Sequence, residues 1–143
     1  MTAATQEKLS DEELLAGFES AALAPGSFHH LEHVRVAWLY YQRYEPAPAV
    51  ERFVTHIRSL VTALGAADKY HETITWAYLL LIRERLEPGE SWEEFAGRAD
   101  DLLDPKGAVL RRYYSPQLLA SDRARSRFLF PDRVCRGQPR DPK

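Results

Sequence analysis

VERFVTHIRSLVTALG, residues 50–65, carries the clearest periodicity in the chain: Val50, Phe53, Val54, Ile57, Leu60, Val61 and Leu64 recur at spacings of three and four. On a helix of 3.6 residues per turn these positions form one apolar stripe, and Gly65 stands where a left-handed C-terminal residue closes such a helix. His56 lies off the stripe and is expected in solvent. Working outward, Pro46 and Pro48 stop a preceding helix that Ser27 can cap and that reaches about Tyr44. Earlier still, Ser10 with Glu13 forms a capping box for a helix bearing Leu14, Leu15, Phe18 and Ala22, which Ala24-Pro25-Gly26 ends. In the other direction a fourth helix runs from about Tyr70 to Leu86. Its segment Ile74 to Ile82 is apolar nearly all round, as in a central helix.

Pro88-Gly89 ends that helix, Ser91 with Glu94 repeats the capping box, and Trp92, Phe95, Leu102 and Leu103 mark a fifth helix. Asp104-Pro105 and Ser115-Pro116 each read as an N-cap followed by proline at N1, which predicts two short helices. No alternating strand pattern, glycine-rich phosphate loop or internal repeat occurs. The expected fold is all-α: a bundle of four to five main helices plus short C-terminal helices, with a single domain over 1–131 and a flexible basic tail over 132–143.

Composition bounds the function. The 143 residues are 45% hydrophobic and 11% aromatic, enough for one core without disulfides. No apolar run is long enough to span a bilayer and the N-terminus lacks a signal-peptide pattern, so no membrane association is expected. The lone Cys135 cannot pair within the chain, which fits a reducing, cytoplasmic setting. A formal net charge of -2 does not favour nucleic acid, although Arg123, Arg125, Arg127, Arg133, Arg136, Arg140 and Lys143 make the C-terminal stretch basic. Oligomeric state and substrate identity are not legible.

Four of the five histidines fall in two clusters, Phe28-His29-His30-Leu31-Glu32-His33 and Tyr70-His71-Glu72-Thr73-Ile74-Thr75. At 100° per residue His30 shares a direction with Val34, Ala37 and Tyr41, and His33 lies on the adjoining flank with Ala37, Tyr40 and Tyr44. Glu32, Arg35, Gln42 and Arg43 face away, and Arg35 is read as a salt-bridge partner. His71 shares an inward stripe with Ile74, Thr75, Tyr78 and Ile82. Three inward imidazoles suit a catalytic metal, which takes three protein ligands and keeps one position open. The expected site has His30, His33 and His71 on one divalent ion, zinc by default for nitrogen donors, with iron or copper open. Glu72 is a further ligand or the general acid/base, with Thr75 beside it, and Tyr40 and Tyr78 are candidates to bond a small-molecule substrate. Arg112, in the run Arg111-Arg112-Tyr113-Tyr114, can fork onto a carboxylate or phosphate, or simply lie on a solvated face. Trp38 and Trp76 have core spacing.

Known motifs miss. His71-Glu72-Thr73-Ile74-Thr75 opens like the zinc-protease HExxH but ends in threonine, there is no His-Asp dipeptide, and no serine or cysteine nucleophile has its usual context. Phe28-x-His30-x-x-His33-x-Arg35-x-Ala37-Trp38, Tyr70 to Thr75, Tyr113-Tyr114-Ser115 and Phe130-Pro131-Asp132 together resemble a group of small uncharacterised bacterial all-helical proteins, over roughly residues 14 to 132. That resemblance implies that His30, His33, His71 and Glu72 act as one site and that His29 is incidental. A weaker architectural likeness is to the DinB-like metal-dependent, thiol-using transferases. The favoured expectation is a metal-dependent enzyme acting on a small molecule by hydrolytic, lyase or oxidative chemistry. The alternative is a metal-free helical ligand-binding or protein-interaction module with structural histidines.

Overall fold

The computed structural model describes residues 9–23 and 28–133, in which there are α-helices and 3-10 turns and no strand. Ser27, the Ala24-Pro25-Gly26 turn and Cys135 lie outside the described residues. The chain forms two compact units, 1–68 and 69–143.

In the first unit α1 (Asp11–Ser20), α2 (His30–Arg43) and α3 (Pro46–Ala63) all pack on one another. Ser10 caps α1 through the expected box: its hydroxyl accepts from the Glu13 amide at 3.1 Å and its own amide donates to Glu13 Oε1 at 2.9 Å. The helix ends where Ala21 takes a left-handed conformation, φ 57°. Pro46 and Pro48 do end α2, and they also form the first turn of α3, four residues before the apolar stripe begins. Leu14, Phe18, Val34, Val36, Tyr40, Phe53, Ile57 and Leu60 fill the core. The Phe18 ring is its centre, 5.3 Å from Phe53 and 6.1 Å from Tyr40 between centroids. Each such side chain contributes about 1.5–3 kcal/mol by leaving water.

In the second unit α4 (Glu72–Glu84) packs on α6 (Asp100–Leu103) and α8 (Asp122–Ser126), with α5 (Trp92–Arg98) and α7 (Pro116–Leu119) completing it. The fifth predicted helix is two, broken at Ala99, whose φ of -121° and ψ of 37° interrupt the hydrogen-bond ladder. Ser115-Pro116 starts α7 as expected. Asp104-Pro105 does not start a helix: Asp104 Oδ1 accepts from the Lys106 amide at 3.0 Å and Gly107 turns the chain at φ 69° into a 3-10 stretch, Ala108–Arg112. The sequence does not anticipate α8, which Ser121 caps. Nor is α4 buried all round, since Leu80 is 46% exposed and Trp76, Tyr78 and Leu81 are half-buried.

Asp132 and Arg133, placed in the tail on sequence, are hydrogen-bonded into this unit. Ser115 donates to Asp132 from both its amide and its hydroxyl, at 2.8 and 2.7 Å, and the Arg133 amide donates to the Tyr113 carbonyl at 2.9 Å.

Candidate functional site

The two histidine clusters fall in different units. In the first, His29 occupies the N-cap position of α2, and its amide donates to Glu32 Oε1 at 2.8 Å. Its ring is exposed. His30 and His33 follow one turn apart on the half-buried side, with ring centroids 6.3 Å apart. His33 also stacks on Phe28 at 4.4 Å. Burial, with His30 and His29 adding like charge, pushes its pKa down to about 4, so the ring is neutral near pH 7. Two imidazoles on one tetrahedral ion place their ring centroids about 5 Å apart, so at 6.3 Å this pair would have to rotate together to share a metal.

Tyr40, assigned to a substrate on sequence, is buried and donates its hydroxyl to Glu19 Oε2 at 2.6 Å. Burial first, then that carboxylate, hold the phenol well above its ordinary range, so Tyr40 is a donor fixed within the helix pack. Arg35 is a correction. It does form the expected salt bridge, to Asp11 at 2.6 Å, but it is only 7% exposed, because α1 supplies Asp11 and covers the side of α2 that its own period marks as polar. His56 also departs from expectation: it is half-buried, with its ring in an edge contact 6.1 Å from Phe18.

In the second unit His71 is the N-cap of α4. Its Nδ1 accepts from the Ile74 amide at 3.1 Å and its Nε2 donates to the Leu119 carbonyl at 2.8 Å, at the end of α7. This pair of partners fits one form of the ring, the neutral tautomer with its proton on Nε2, and leaves no nitrogen lone pair for a metal. Glu72 is similarly engaged: Oε1 accepts from the Tyr70 hydroxyl at 2.6 Å and Oε2 from the Trp76 indole at 2.9 Å. Thr75 donates to the carbonyl of His71 at 2.8 Å, the back-bond of a threonine one turn into a helix. Trp76 is therefore half-exposed and tied to a carboxylate rather than sunk in the core.

Tyr78 is half-buried, and burial with Asp104 and Asp101 nearby pushes its phenol up to about 12. Arg112 is exposed and reaches Asp101 Oδ2 at 3.3 Å. The main partner of Asp101 is Arg85, which grips both its oxygens at 2.6 and 2.7 Å. Arg112 is thus the outer member of a salt-bridge cluster.

His30 and His33 are brought together in one unit, and His71, Glu72 and Thr75 in the other. Among the described residues no three His, Cys, Asp or Glu side chains form a group that could hold a metal ion. The donor set does not fit a three-histidine ion, because His71 and Glu72 already serve partners in their own unit.

One residue of the second cluster carries more structure than its sequence context suggests. Thr73 is fully buried, donates to the Arg127 carbonyl at 2.7 Å and accepts from the Leu129 amide at 3.1 Å. Tyr114, also buried, donates to the Leu129 carbonyl at 2.8 Å. Neither pairing has a sequence signal, since the partners are backbone groups far along the chain. Among the described residues no helix is long and apolar enough to cross a membrane. No protein-family model, curated protein or solved structure matches this chain.

Proposed function

We propose that the chain is a metal-free helical binding module in which His71 and Glu72 are framework residues. One observation carries this reading: both ring nitrogens of His71 and both carboxylate oxygens of Glu72 are occupied by short hydrogen bonds within their own unit. Recruiting His71 would leave the Ile74 amide or the Leu119 carbonyl without its partner, at about 1–3 kcal/mol, and Glu72 would have to share oxygens that already accept from Tyr70 and Trp76. Their chemistry is spent on holding α4, α7 and the preceding Tyr70 in place.

A second reading rests on His30 and His33 standing one turn apart with His33 kept neutral. After a ring rotation that brings the centroids to about 5 Å, the pair would hold one divalent ion, zinc by default or iron or copper, with water filling the other positions and a small molecule as substrate. Metal analysis of untagged protein separates the two. The module reading expects no stoichiometric metal, and no tight uptake on titration with zinc, iron(II) or copper(II). Near-stoichiometric metal that is lost in folded His30→Ala and His33→Ala variants, and retained in His71→Asn, would replace it with the metal-dependent enzyme.

A further inference from the structure

We draw no further inference here: the strongest candidate, the surface patch in which the exposed Phe130 ring meets Phe128 and Phe128 meets Trp76 on the segment after α8, is an apolar face, and nothing in the structure shows what covers it.

Discussion

An imidazole that caps a helix through one nitrogen and tethers a second helix through the other gives His71 two structural duties that different substitutions can separate. His71→Ala should destabilise the second unit by about 1–2 kcal/mol in urea unfolding, combining a lost N-cap with a lost bond to Leu119. His71→Asn keeps an N-cap acceptor and should recover about half of that loss. Thr73 is the harsher position. Thr73→Val keeps shape but leaves the Arg127 carbonyl and the Leu129 amide without a buried partner, with an expected loss of about 1–3 kcal/mol. Recovery of full stability in Thr73→Val would show that water takes over both groups. At this scale the sequence drew attention to the cluster but could not supply its hydrogen-bond partners. The type and spacing of His71, Glu72 and Thr75 are visible in the sequence, whereas the carbonyls, amides and indole that occupy them arrive only with the tertiary fold.

At the scale of the element, α1 shows how a helix end and a neighbouring side chain share space. Ala21 is left-handed at φ 57°, a conformation that glycine adopts without steric cost. Ala21→Gly is therefore expected to stabilise the first unit by about 0.5–1 kcal/mol. One turn earlier the opposite holds: a Cβ on Gly17 would stand 2.5 Å from Leu23 Cδ2 and 2.9 Å from its Cγ. Gly17→Ala gains helix propensity but must push the buried Leu23 aside, and a net loss of about 1 kcal/mol in thermal or urea unfolding is expected. Most helices were legible because apolar period and capping residues act locally, as Ser10, Ser91 and Ser115 demonstrate. The burial of Arg35 was not, because it depends on α1 lying over α2 and supplying Asp11. The break at Ala99 and the turn at Asp104 were lost for a related reason. A proline after an aspartate is compatible with both a helix start and a tight turn, and the positive φ of Gly107 decides between them.

Across the whole molecule acidification acts in two windows. The His33 ring takes up its proton only near pH 4 in the folded state, against about 6.5 when unfolded, so the unfolded chain binds more protons between those values. Its contribution is present above about pH 6.5 and is lost as pH falls towards 4, by up to about 3 kcal/mol. Asp101 is held down to about 2 chiefly by Arg85, so its smaller contribution, about 1 kcal/mol after solvent screening, is present above pH 4 and lost below it. Urea unfolding across pH 3 to 8, followed by fluorescence in variants that retain only Trp38 or only the Trp76–Trp92 pair, should place the first window in unit one and the second in unit two. His33→Gln should flatten the first alone, and a pH-independent unit one would show that its ring is solvated. The fold class was legible because periodicity pervades the chain. The division into two compact units was not, since nothing in the composition changes at Asp68. The Thr73 clamp has a further consequence for how the chain is made. Its partners lie 54 and 56 residues downstream, and those of His71 and Tyr70 48 and 55. The side-chain bonds from α1 to α2, by contrast, span only 21 to 31 residues. On a ribosome the first unit can close as soon as α3 emerges, while Thr73 and the Nε2 of His71 must wait for their partners until Leu119, Arg127 and Leu129 have been synthesised.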